Sequence, residues 1–206
     1  NFNTSIEIDN NPLWIDFLNF KKNKKIKTII NVKGFKDQSN LTKIKSISLK
    51  DENNIIEVNQ IQLDENYRII DLQKANFNYL DKENKKNIFN IINKKRNYNF
   101  NGKFFNANNL IEKLINSNDE KKTQYLRNKF KIEINVDKVQ LDNEFTINNL
   151  KGDLSLLNDE IISANLSAYF SNNENLKFTI NSNSKEKTTT LFSEKAKPFV
   201  KRYKFI

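Results

Sequence analysis

The chain has 206 residues, 35 Lys and Arg against 25 Asp and Glu, a net charge of +10, and neither cysteine nor histidine. That length suits one large β domain or two smaller modules. The missing residue types exclude thiolate chemistry, disulfides, Cys/His zinc sites and an imidazole base.

The positive charge raises nucleic acid or an anionic membrane surface as partners. Asn, Lys, Ile and Phe dominate, however, while Arg, Ala, Gly and Pro are scarce, and an AT-rich genome imposes that pattern on any protein. The lysines are spread along the chain. Their denser spots are Lys21, Lys22, Lys24, Lys25 and Lys27, then Lys94, Lys95 and Arg96, then 195–204, and none forms an organised phosphate-binding surface in the sequence. Nucleic acid is therefore not the expected partner. No stretch approaches the ~20 apolar residues of a membrane-spanning helix, and no signal peptide is in view. The chain opens at Asn1, contains no Met and stops at Ile206 in a basic, aromatic run, which reads as a fragment of a longer polypeptide.

In chain order, apolar and polar residues alternate with the period of half-buried strands. Predicted strands are Phe2 to Ile8, Ile26 to Phe35, Leu41 to Leu49, Ile55 to Leu63, Arg68 to Leu72, Ala75 to Tyr79, Ile88 to Ile92 and Tyr98 to Phe105. Asn101-Gly102 reads either as a tight turn or as a bulge within one strand. Asn11-Pro12 opens a predicted short helix with Trp14, Phe17 and Leu18 on one face. Asn106 to Asn116 reads as a second helix, with Leu110, Ile111, Leu114 and Ile115 as its stripe. Ser117 to Arg127 is polar and charged, a loop and a module boundary.

The clearest alternation follows. Phe130, Ile132, Ile134 and Val136 form one strand, Phe145 and Ile147 begin another, and Leu154 and Leu156 follow Gly152. Ile162, Ala164, Leu166, Ala168 and Phe170 form the next, then Leu176, Phe178 and Ile180. Short polar turns at Asp142-Asn143, Asn158 to Glu160 and Ser171 to Asn175 make these antiparallel neighbours in a meander. Ser193 to Tyr203 suggests a last short helix, with Ser193 as cap and Phe199, Val200 and Tyr203 inward, although Pro198 argues against a regular start at Ser193. The fold class is thus mainly β with short helices. The strands build either a closed core or a curved antiparallel meander sheet with an open apolar groove, because both give one apolar face per strand.

Little in the chain points to catalysis, and we expect no enzyme, cofactor or metal. Asp119-Glu120 and Asp159-Glu160 fall in predicted turns. Gly34, Gly102 and Gly152 are too dispersed for a phosphate loop. Tyr98, Phe100, Phe104 and Phe105 interleave with Lys94, Lys95, Arg96 and Lys103, as on a base-stacking sheet, but a strand with an aromatic buried face has the same pattern.

The order of elements resembles the AsmA-like proteins of bacterial envelopes, the group that includes TamB and YhdP. Tyr98–Ala107 (YNFNGKFFNA) followed by NNLIEKLI resembles their strand, Gly, aromatic and short helix. Phe130–Leu141 (FKIEINVDKVQL), Leu150–Leu154 (LKGDL), Ile161–Phe170, Leu176–Asn181 and the closing LFSEKAKPFVKRY continue the pattern. The resemblance covers residues 98–206 and is weaker over 1–97, so the chain divides into a β-rich N-terminal part and an AsmA-like meander. It departs from the family in having Asn, Lys and Ser where Gly and Ala are usual.

The resemblance implies a periplasmic segment of a Gram-negative protein, tethered to the inner membrane by an anchor outside this chain. It also implies a non-catalytic apolar β-groove that carries phospholipid towards the outer membrane. Its partners would be acyl chains and the rest of its own chain. The expected groove lining is Ile132, Ile134, Val136, Phe145, Ile147, Leu154, Leu156, Ile162, Ala164, Leu166, Ala168, Phe178 and Ile180; for each of these the alternative is ordinary core beneath the helices.

Overall fold

The computed structural model describes residues 1–37, 39, 41–95, 97–115, 126–182 and 186–203. The N-terminal part contains β1 (Phe2–Ile8), β2 (Trp14–Ile15), β3 (Phe20–Lys21), β4 (Thr28–Lys36), β5 (Thr42–Lys50), β6 (Ile55–Leu63), β7 (Ile69–Leu80), β8 (Lys86–Lys94) and β9 (Asn97–Asn106). After α1 (Asn108–Ile115) come β10 (Lys129–Gln140), β11 (Thr146–Leu157), β12 (Glu160–Tyr169), β13 (Asn175–Ser182), β14 (Lys187–Ser193) and α2 (Lys197–Tyr203). Twelve strands form one open sheet in the order β1-β4-β5-β6-β7-β8-β9-β10-β11-β12-β13-β14, and β2 pairs separately with β3.

The expected mainly-β class with short helices and a curved meander is the architecture found, with two α-helices among the described residues. One pairing departs from a strict meander. β9 and β10 run parallel, with Tyr98 opposite Ile132 and Phe100 opposite Ile134. Parallel neighbours need a crossover, and α1 lies in that connection.

Aspartates set several of the turns. Asp37, Asp51, Asp64, Asp81 and Asp142 each accept backbone N–H bonds from residues two to four positions on, at 2.8–3.1 Å. This local side-chain mimicry of a turn is why Asp so often closes a strand. At 64–68, 81–85 and 170–174 the loop closes around a residue with left-handed backbone, Tyr67, Asn84 and Asn173 respectively. Asn takes that conformation readily; Tyr takes it only at a steric cost. Asp37 also accepts bonds from the Ser39 hydroxyl at 2.6 Å and pairs with Lys43 at 3.0 Å. Those partners hold its carboxyl down at about 2.

The N-terminal prediction of a helix over Leu13 to Leu18 is corrected. The segment is a strap, with β2 and β3 flanking a single 3-10 turn at Asp16–Leu18. Trp14 and Phe17 are exposed, while Leu13, Ile15, Leu18 and Phe20 pack on the sheet. A left-handed Asn19 stops the turn by donating its N–H to the Asp16 carbonyl. Alternation sets the inward side chains around the 3-10 turn, Leu13 with Ile15 before it and Leu18 with Phe20 from its last residue on. Phe20 lies edge-on to Tyr79 at 6.0 Å, and its burial contributes about 2 kcal/mol. The Tyr79 hydroxyl donates to the Leu18 carbonyl at 2.9 Å.

Other differences are local. The predicted strands Arg68 to Leu72 and Ala75 to Tyr79 are one continuous strand, β7. Asn101-Gly102 is no turn; it sits inside β9 beside a register shift. β14 was not predicted, because its Lys-Thr-Thr-Thr start shows no apolar alternation. α2 begins at Lys197, beside a buried Pro198, and Ser193 instead ends β14, where its hydroxyl accepts the Lys195 N–H. Most of the predicted loop Ser117 to Arg127, with Asp119-Glu120, lies outside the described residues. Its last two residues return to the start of β7, where Leu126 bridges Ile69 and Arg127 donates to the Ile69 carbonyl.

The corner from β9 into α1 is a buried polar knot. Asn106 donates from Nδ2 to Asp81 at 2.7 Å, and Asn87 Oδ1 accepts the Asn106 N–H at 2.9 Å. Each of the three is at most 7% exposed, so leaving any unpaired would cost about 1–3 kcal/mol.

Tyr67→Asn raises stability by up to about 1 kcal/mol, since the left-handed strain is relieved and a side chain 73% exposed gives up little packing. Unchanged or reduced stability in chemical denaturation would contradict this. For Asp37 the folded pKa is depressed, so its contribution is present above the ordinary value of 3.8 and is lost as pH falls towards about 2. Asp37→Asn therefore flattens the fall of Tm with acid in that window, and an unaltered slope would contradict the assignment.

Candidate functional site

In a strand, alternate side chains share a face, and paired residues on neighbouring strands stand side by side. On β10 to β14 this arranges the sequence-predicted residues into rows. Ile132 faces Leu154, Leu154 faces Ala164, and Ala164 faces Ile180. One step along, Ile134, Gly152, Leu166, Phe178 and Leu191 form the next row. β9 extends both rows, with Tyr98 beside Ile132 and Phe100 beside Ile134. Phe130 and Leu156 stand together on the same face.

The helices cover one end of this face. Val136, Ile147 and Ala168 belong to a buried cluster with Ala107, Val139, Phe170 and Leu176, and Ile111 of α1 and Phe199 of α2 pack against it. For these three residues the alternative reading, ordinary core beneath the helices, describes their setting. Ile134 lies at the margin of the cluster. Ile132, Leu154, Leu156, Ile162, Leu166 and Phe178 are half-buried and belong to neither core cluster. Ala164 and Ile180 are buried outside the clusters. Phe145 stands apart from the rows. It closes the Asp142 turn, with the Lys195 ammonium 5.8 Å from its ring. Ile162 sits at a register irregularity beside Ser163 and Ile161.

The opposite face is polar. Glu57, Asn76, Asn90, Asn101, Asn135, Lys151, Ser167 and Lys177 are successive partners from β6 to β13. Two depressions of about 500 and 520 Å³ lie along this row and share Asn101 and Asn135. Their charged lining is balanced: Lys103, Lys131 and Lys151 against Glu133, Asp137 and Asp153.

Tyr98, Phe100 and Phe105 of β9 are engaged with other rings. Phe89 stacks on Phe77 at 4.5 Å and on Phe100 at 4.8 Å, and Phe105 meets Phe89 edge-on at 5.5 Å. Tyr98 packs on Phe130 at 5.1 Å and donates its hydroxyl to Asp71 at 2.8 Å. Asp71 also accepts from Asn93 and Gln73, each at 2.8 Å. Sequence reasoning missed Tyr98, Phe100, Leu150 and Leu191 as continuations of the apolar face. The signal was alternation through β9, obscured by the neighbouring lysines.

Among the described residues no three His, Cys, Asp or Glu side chains group to hold a metal ion, and no helix is long and apolar enough to cross a membrane. Asp159 sits in the β11–β12 turn and accepts the Leu126 N–H at 3.1 Å. Comparison with protein-family models, with curated proteins and with solved structures finds no match.

Gly152 stands between Ile134 and Leu166 in the second apolar row. Its φ is +140°, and a Cβ there would lie 1.9 Å from the Asn165 carbonyl oxygen. Gly152→Ala should therefore cost more than about 1 kcal/mol and widen β11 from β12. A variant as stable as the parent, with unchanged amide exchange in β12, would contradict that close approach.

Proposed function

We propose that the apolar face of β10 to β14 receives phospholipid acyl chains, as a non-catalytic segment of an AsmA-like envelope protein that moves lipid between inner and outer membranes. The observation carrying this reading is the pair of continuous apolar rows whose members Ile132, Leu154, Leu166 and Phe178 remain half-buried outside both core clusters. Five neighbouring strands at ~4.8 Å spacing give a row roughly 20 Å long. One leaflet of hydrocarbon is about 15 Å, half of a ~30 Å bilayer core, so the dimension suits one acyl chain. Each CH₂ removed from water there gains about 0.8 kcal/mol. Reactive groups are not needed for such a task.

In this reading the protein works in the periplasm, joined to the inner membrane through parts of a longer chain. Nucleic acid has less support. Phe100 of β9 stacks on Phe89 of β8 and meets Phe105 edge-on, and the polar depressions carry as many acidic as basic groups.

Native mass spectrometry with lipid extraction, on protein expressed in the periplasm, tests the proposal. Co-purifying phospholipid is expected, and the double variant Ile134→Asp with Leu166→Asp should lose it while keeping the parent circular dichroism. Lipid-free parent protein that instead shifts nucleic acid at moderate salt would overturn the proposal.

A further inference from the structure

The strap that closes the N-terminal core is built to present two aromatic rings to the outside. Trp14 is 55% exposed and Phe17 70% exposed. They are not loose. Leu13, Ile15, Leu18 and Phe20 between and beside them are anchored in the core. Backbone bonds fasten the segment at three points: Lys22 N–H to the Leu13 carbonyl at 2.9 Å, Lys82 N–H to the Asn19 carbonyl at 2.8 Å, and β2 to β3. A rigid support that leaves a Trp and a Phe of the strap exposed to water implies a partner surface for them.

The chemistry beside the rings names that surface. Residues 9–27 carry five lysines against Asp9 and Asp16. The Lys22 ammonium is buried, donating to the Asp9 and Asn23 carbonyls. Lys27 pairs with Glu7. Lys21, Lys24 and Lys25 are exposed and make no ion pair among the described residues. The Lys21 ammonium stands 5.9 Å from the Trp14 ring. Trp beside Lys is the pairing favoured at a membrane–water interface: the indole sits among headgroups, and the ammonium extends towards phosphate.

We infer that the Trp14–Lys25 strap docks on the surface of an anionic phospholipid bilayer, with Trp14 and Phe17 entering the headgroup region and Lys21, Lys24 and Lys25 meeting lipid phosphates. This is independent of the acyl-chain reading, since it uses the opposite half of the sheet and needs no groove. It supplies a contact that would hold the sheet against a membrane.

Trp14 is the single tryptophan of the chain, so its emission reports the strap alone. The probe is unilamellar vesicles of phosphatidylglycerol mixed with phosphatidylcholine, compared with pure phosphatidylcholine. With anionic vesicles the Trp14 emission shifts to the blue and becomes shielded from acrylamide, and both effects weaken as salt is raised. Lys24→Glu with Lys25→Glu weakens partitioning by roughly tenfold or more, and Phe17→Ser weakens it while leaving the fold intact. Both changes are at exposed positions, and circular dichroism checks that the fold survives. In the Ile134→Asp, Leu166→Asp variant the blue shift and acrylamide shielding of Trp14 persist, which separates this contact from the groove. Protein that ignores anionic vesicles, or that sediments with them while Trp14 emission stays unmoved, overturns the inference.

Discussion

Everything in this molecule depends on the pleat. A residue in a strand has one of two faces, and pairing transmits that choice to its neighbours. Across twelve strands the choice holds well enough to give one apolar and one polar surface. Val136, at 0% exposure, is flanked by Asn135 and Asp137, and one face of the strand is sealed while the other meets water. The apolar surface is too long for the short segments that fold back on it. The strap covers part of the N-terminal half, and the two helices cover one end of the C-terminal half. The incompletely covered rows are what remains, and the proposed function rests on that mismatch.

The legible part of the sequence was the part governed by alternation. β1 and β6 match their predicted limits, and β10 to β13 follow from Phe130 to Ile180 as read. Two kinds of information were not legible. Leu13 to Phe20 is too short for either period to declare itself, and the choice between helix and strap was made by the sheet it packs on. The parallel pairing of β9 with β10 depends on a long-range partner, which the alternation within a strand does not specify. Of the predicted groove residues, Val136, Ile147 and Ala168 sit under the helices, whereas Ile132, Leu154, Leu166 and Phe178 do not. Identical alternation produced both groups. Only the reach of α1 and α2 separates them.

The polar knot of Asp81, Asn87 and Asn106 and the close approach at Gly152 serve one geometrical purpose. The first fixes where α1 leaves the sheet, and so how much apolar surface it covers. The second brings β11 and β12 together in the middle of a row. Residues with no apolar character thus decide the extent and continuity of the apolar face.

The parallel junction also has a bearing on how the chain reaches this state. Most neighbouring strands are joined by short hairpins, which close quickly because little chain entropy is lost. Two pairings are different: β1 with β4 spans the strap, and β9 with β10 spans α1 and the segment after it. The sheet is continuous across this junction, and the β9–β10 seam joins the hairpin series on either side of α1. Forming that seam closes a longer loop than any hairpin in the sheet, so it is reached against a larger loss of chain entropy.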